Sequence, residues 1–200
     1  MKRSTRQAFI IAGLLLTGLG AMAQKAPTYV YPETPFDEAT TAKQMEEGTA
    51  IISGTAKIKK RGTTYYPGRK DPINLFPATP YIMEFAELNK KYRKGKKVAT
   101  MTNDAFSYRI EGRTMDDRGT FEFRGLKPGK YYLVTWIDYQ KSASYSVQTG
   151  TSVGYNYYGQ AVSSWPIYTS YTYKYDVEME VSAVVEVKAD GERVTVVVTN

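Results

Sequence analysis

Gly119-Thr-Phe-Glu-Phe-Arg-Gly-Leu-Lys-Pro-Gly-Lys-Tyr-Tyr-Leu-Val-Thr135 is the stretch from which the fold can be read. Phe121 and Phe123 alternate with polar neighbours, the period of a half-buried strand. Pro128 fixes φ and Gly129 supplies conformational freedom, so Gly125–Gly129 turns the chain tightly into a second strand from Tyr131 to Ile137. Upstream, Thr49–Ile58 reads as a strand with Ile52, Gly54, Ala56 and Ile58 on one parity. Gly54 inside it implies a bulge or the close approach of another backbone.

A second strand, Ile73–Tyr81, ends at Pro77 and Pro80. Residues 82–94 carry apolar side chains near helical period and predict one short amphipathic helix with a basic last turn. Ala105–Glu111 predicts a third strand, with Phe106, Tyr108 and Ile110 on one face. Val177–Val187 places apolar residues at odd positions. Asp190-Gly191 then predicts a hairpin returning through Val194, Val196 and Val198. About seven strands at this spacing predict an all-β antiparallel sandwich.

Gly-x-Phe-x-Phe-x-Gly-Leu-x-Pro-Gly-x-Tyr resembles the strand-turn-strand signature of the carboxypeptidase regulatory-like domains. Leu75-Phe-Pro-Ala-Thr-Pro-Tyr81 resembles segments of exported bacterial proteins in the same group. The resemblance covers roughly residues 48–137. It implies a seven-stranded prealbumin-like (Ig-like) β-sandwich used mainly for support and binding. Enzymes of related fold, the intradiol dioxygenases and hydroxyisourate hydrolases, rely on histidines, and this chain has none.

The ends add organisation. Residues 1–23 predict a signal peptide: Lys2, Arg3 and Arg6, an apolar run from Ala8 to Leu19, and Ala21-Met-Ala23 before a cleavage at Gln24. Residues 24–47, with Pro27, Pro32 and Pro35, predict an extended leader. Residues 48–200 predict a single sandwich domain with an insertion at about 140–174. The expected destination is the periplasm or the cell surface or exterior, with no lipid anchor and no membrane span after cleavage.

The chain has neither cysteine nor histidine. That rules out disulfides, thiol catalysis, serine–histidine triads and histidine-ligated metals, and a non-enzyme with no cofactor is expected. Setting aside the three basic residues of the signal segment, 24 basic side chains face 20 acidic ones, or +4. That balance favours solubility and does not specify nucleic-acid binding. Asp116 and Asp117 beside Gly119 lack calcium-loop spacing and read as turn residues, so no metal is expected.

Two features are candidates for function. Residues 142–173 carry no charge and are rich in Tyr, Ser, Gly and Thr. This is the composition of adaptable binding loops, suited to a glycan or a protein partner in the cell envelope. Tyr155, Tyr157, Tyr158, Trp165 and Tyr168 are the expected contacts. The same segment also reads as an extra hairpin whose rings cover the sandwich, with Tyr171, Tyr173 and Tyr175 sharing a strand face. The chain would then be a structural or assembly module of an envelope complex. The second feature is the basic run Lys90, Lys91, Arg93, Lys94, Lys96 and Lys97, which suits either an anionic surface or plain solvation.

Overall fold

The strand pattern around Gly119–Thr135 folds as expected, but its two strands enter different sheets. The computed structural model describes residues 26–69, 71–93 and 96–199; the expected signal peptide and Lys94 lie outside them. The described residues form eleven strands and three helices rather than seven strands and one helix. Seven strands build the two principal sheets, and four three-residue strands are added at the margins.

The first sheet contains β2 (Ala50–Ala56), β8 (Thr120–Leu126) and β11 (Arg193–Val198), in the order β11-β2-β8. The β2–β8 pair is antiparallel and the β2–β11 pair parallel, so the sandwich is not purely antiparallel. The second sheet contains β5 (Pro72–Pro77), β7 (Ile110–Arg113), β9 (Gly129–Tyr155) and β10 (Ala161–Val187), in the order β10-β9-β5-β7, all antiparallel. Ile52, Phe121, Phe123 and Val198 from the first sheet meet Leu75, Leu133, Ile137 and Val181 from the second in one buried core. Hydrophobic burial on facing pleats holds this sandwich together.

Because strand side chains alternate, the second sheet has another face to cover. Phe76, Tyr132 and Val134 pack there against Tyr81 and Ile82 of α2 (Pro80–Tyr92) and Ala105 of α3 (Asn103–Ser107). The molecule is therefore three layers deep at β5, which is buried along nearly its whole length. Helix α2 starts where Thr79 caps Ile82 N at 3.5 Å with Pro80 in the first turn, and its last turn carries Lys90 and Lys91.

Two local expectations are corrected. Ala105–Glu111 is not a strand: Thr102 accepts from Ala105 N at 3.3 Å and caps α3, so the strand begins only at Ile110. Asp190-Gly191 turns the chain, with Gly191 at φ 72° and Glu192 accepting from Ala189 N at 3.2 Å. It joins β10 to β11 across the two sheets, so the two strands do not form a hairpin ladder. The Leu126–Gly129 turn likewise passes between sheets, and Tyr131 Oη ties it back by donating to the Lys127 carbonyl at 2.8 Å.

The leader is not simply extended over its described part. β1 (Thr28–Val30) runs parallel to β6 (Lys97–Ala99). α1 (Glu38–Met45) is capped by Asp37, which accepts from Thr40 N at 3.0 Å. Glu84 of α2 accepts from Glu33 N and Thr34 N at 2.8 and 2.9 Å, and Gln44 donates to the Lys130 carbonyl at 2.7 Å. The Glu84 bonds satisfy leader backbone, and the Gln44 bond ties α1 to the start of β9. The remaining margin is β3 (Ile58–Lys60) paired with β4 (Thr63–Tyr65).

Candidate functional site

The uncharged segment is neither a loop nor a cover for the sandwich. β9 and β10 pair from Gly129 and Val187 in the sandwich out to Tyr155 and Ala161, in one two-stranded ribbon. Residues 141–155 and 161–175 form its outer part. At about 3.3 Å per residue this arm is about 45 Å long. Alternating Tyr, Thr, Ser and Val suit a pleated ribbon on propensity alone. The tip is closed by Asn156, whose Oδ1 accepts from Tyr158 N at 3.0 Å and Gln160 N at 2.9 Å, with Gly159 at φ 76°.

Register assigns the faces, since directly opposed residues in an antiparallel pair share one side. Tyr145 faces Tyr171, Ala143 faces Tyr173 and Lys141 faces Tyr175. The Tyr145 and Tyr171 rings stack at 5.6 Å, Tyr145 and Tyr173 are 6.2 Å apart, and Tyr173 and Tyr175 are 5.9 Å apart. Beyond an irregularity near Gln148–Gly150, Ile167 opposes Gly150 and Trp165 opposes Ser152. Both therefore extend the same face, and the Trp165 ring lies beside the bare Cα of Gly154. Within the sandwich this face carries Leu133, Ile137 and Val181 of the core. The core surface thus runs on past the end of the sandwich as an aromatic stripe. It begins beside Tyr139, which packs on Tyr65 at 5.8 Å and under Lys141 Nζ at 5.6 Å.

The opposite face of the arm is largely a hydroxyl ladder. Ser144 and Thr172 are bonded at 2.8 Å, and Ser146 and Ser170 at 2.9 Å. Cross-strand pairs of this kind and of stacked rings each contribute about 0.2–1 kcal/mol, which supports a ribbon that would be marginal as bare backbone.

The five expected contact residues are divided by this geometry. Trp165 lies on the aromatic stripe. Tyr155 and Tyr168 lie on the reverse face, and Tyr157 and Tyr158 sit at the tip, 98% and 84% exposed. The stripe itself consists of Tyr145, Tyr171, Tyr173 and Tyr175, 42–53% exposed, followed by Ile167 and Trp165. The signal for it was the strict Tyr171-x-Tyr173-x-Tyr175 alternation. Its rings do not cover the sandwich, because they lie beyond the facing sheet.

The basic run is partly committed to internal partners. Lys91 and Lys97 both approach the Tyr92 ring, at 5.4 and 5.7 Å, while Arg93 reaches the Glu180 carboxylate at 3.6 Å. Lys90 and Arg93 line an open groove of about 350 Å³ between α2 and β10, and Lys96 lies just before β6. Asp116 accepts from Arg118 N and Thr120 N at 2.9 and 3.1 Å, and Asp117 is paired with Arg69 at 2.6 Å. Both carboxylates serve the turn and its neighbour. Among the described residues no group of three or more potential acidic ligands gathers, and no helix is long and apolar enough to cross a membrane.

Tyr132 lies in the wall of the groove. Burial pushes its phenol up to about 12; the Ser182 hydroxyl opposes this, the Glu180 charge adds to it and Arg93 opposes it. The unfolded chain ionises first, near the ordinary value of about 10. The stability tied to this group is therefore complete below about pH 10 and is lost as pH rises toward 12, by on the order of 2–3 kcal/mol. Denaturant titrations across this window should show the wild type losing that much more than Tyr132→Phe. Equal losses would place the alkaline sensitivity elsewhere.

No protein-family model matches the chain, and no curated protein matches it. Among solved structures, the fold is similar to that of a Pseudomonas aeruginosa protein provisionally assigned as carbohydrate binding. The TM-score is 0.53 at 18% identity, over 86% of this chain and 100% of that one. At that identity the likeness is one of fold.

Proposed function

We propose that the chain is a non-catalytic, exported binding protein whose hairpin stripe takes up a glycan, on a sandwich of the prealbumin-like, carboxypeptidase regulatory-like type. The carrying observation is the exposed row Tyr175, Tyr173, Tyr145, Tyr171, Ile167 and Trp165 on one face of an arm whose residues 142–173 carry no charge. Rings with hydroxyls present apolar area and hydrogen-bonding edges together, which suits a sugar chain with both kinds of surface. The absence of histidine and cysteine leaves little acid–base chemistry for an enzyme. The similar solved structure, provisionally assigned to carbohydrate binding, points the same way.

Sedimentation of the mature protein, residues 24–200, with cellulose, chitin and peptidoglycan sacculi tests this. Retention on at least one polymer that persists from low to high salt is expected, because the stripe is uncharged. Retention that disappears in high salt would shift the site to the Lys90–Lys97 face, and no retention on any polymer would end the glycan reading.

One observation favours a second reading. Beyond the sandwich both outer edges of the ribbon carry unpaired backbone groups, and past Lys141 and Lys174 at its base the arm, residues 142–173, holds no charged side chain to discourage edge pairing. The hairpin would then join copies of this chain into an assembly, and light scattering would show mass rising with concentration.

A further inference from the structure

The second sheet carries a small cavity on its helix-covered face, away from the hairpin arm. It encloses about 200 Å³ between α2, the segment before α3, and strands β5, β9 and β10. That is below the roughly 300–1,000 Å³ of sites for drug-sized ligands, so it suits one small ring rather than a chain. Phe76, Phe106 and Trp136 supply aromatic walls, and Phe106 is 44% exposed.

Asn74 is the anomaly that marks this cavity. It is only 5% exposed, within a strand otherwise made of Pro, Ile, Leu and Phe, and its Oδ1 has no hydrogen-bond partner. An unmet buried acceptor costs about 1–3 kcal/mol, and an aliphatic side chain would avoid that cost. Here Asn74 lines a cavity, and because its Oδ1 is closed to solvent in this conformation an incoming donor must turn the amide to reach it.

The other polar wall is Glu180. It opposes Trp136 in the ladder, whereas Asn74 opposes Val134, so the two polar groups flank the floor two strands and two residues apart, about 12 Å between backbone positions. The Glu180 carboxylate accepts from Asn89 Nδ2 at 2.5 Å and faces Arg93 at 3.6 Å. Its charge is already balanced, so a cation gains little there. A neutral hydroxyl can still use the remaining lone pairs. Aromatic walls with hydroxyl acceptors at both ends describe an amphipathic, uncharged polyol ring.

We infer that this cavity is a second binding site, taking a single pyranose ring such as the terminal sugar of a glycan, with Asn74 and Glu180 as acceptors and Trp136 as the stacking wall. The choice of a sugar rests on the glycan reading above; the cavity and its orphan acceptor do not.

The two tryptophans separate the two sites. Trp165→Phe leaves Trp136 as sole reporter of the cavity, and Trp136→Phe leaves Trp165 as reporter of the stripe. Methyl glycosides of glucose, galactose, mannose and N-acetylglucosamine are titrated into the first variant, with tetramethylammonium as the cationic probe. At least one glycoside is expected to change Trp136 emission saturably. Adding Asn74→Leu should weaken that binding at least tenfold while thermal unfolding stays at or above that of the parent. No saturable response, a response untouched by Asn74→Leu, or a response to tetramethylammonium alone would each overturn the proposal. Oligosaccharide responses at Trp165 with none at Trp136 would sink the cavity site and spare the stripe. The converse would retain the cavity and remove the stripe.

Discussion

Replacing Tyr145, Tyr171, Tyr173 and Tyr175 together by serine is expected to weaken binding to the retained polysaccharide about 100-fold, with little change in the unfolding of the sandwich. The four rings share one face and lie within 5.6–6.2 Å of a neighbour, so a ligand crossing one meets the next. An aromatic contact contributes about 0.5–1.5 kcal/mol beyond its buried area, and about 1.4 kcal/mol is tenfold in affinity. About 0.7 kcal/mol from each of the four rings, within that range, reaches the predicted loss. Serine is the right replacement because the reverse face is already built from serine and threonine, so the ribbon keeps its register. The control is the set of expected contacts that lie off the stripe, all but Trp165: Tyr155 and Tyr168 on the reverse face, and Tyr157 and Tyr158 at the tip. Changing those four to serine is expected to alter binding less than threefold. A loss as large as that of the stripe variant would mean that recognition does not follow the face. Binding isotherms on the polymer, paired with thermal melts, decide between the two.

This contrast shows what could be read in the sequence and what could not. On β10 the alternation runs unbroken from Tyr175 to Trp165, so those residues declare a common face. On β9 one extra residue near Thr149 interrupts the ladder, and Tyr155, which shares parity with Tyr145, ends on the other side. A single bulged residue inverts every later side chain, and nothing local in Gln148-Thr149-Gly150 forces it. The turns show the same division between local and long-range information. Lys127-Pro128-Gly129 and Asp190-Gly191 correctly mark chain reversal, because φ preferences are local. Which strand each new strand pairs with depends on the whole core, and both turns cross between sheets. α1 was hidden because Pro32 and Pro35 suggested an extended leader, while its Asp37 cap sits before a weakly apolar helix. Asn74 is plain in the sequence as one amide between Ile73 and Leu75. Its orphaned acceptor becomes visible only once α2 and Trp136 close around it.

Gly54→Ala is expected to be a strongly damaging single-methyl change in the sandwich, costing about 3 kcal/mol and lowering the melting temperature by about 6–12 °C. Gly54 pairs with Val196 of the parallel strand β11 and with Phe121 of β8. A methyl group there would overlap the Val196 carbonyl oxygen and lie 2.9 Å from the Phe121 ring. Backbone cannot swing aside as a side-chain tip can, so β11 must move away or its ladder must break. Either response withdraws Val198 from the buried core that backs Ile52 and Phe121. Gly150→Ala is the matched control in the arm, where the new methyl meets only Ile167 Cδ1 at 3.8 Å. It is expected to shift stability by no more than about 0.5 kcal/mol. The pair also separates scaffold from site. Gly54→Ala should reduce the fraction of folded protein on heating, yet leave polysaccharide affinity per folded molecule unchanged at low temperature, because the stripe lies on β9 and β10 and not on the damaged sheet. If affinity fell in proportion to stability even where the variant is fully folded, the hairpin would have to depend on β11 for its shape, and the stripe could not be treated as an independent recognition surface.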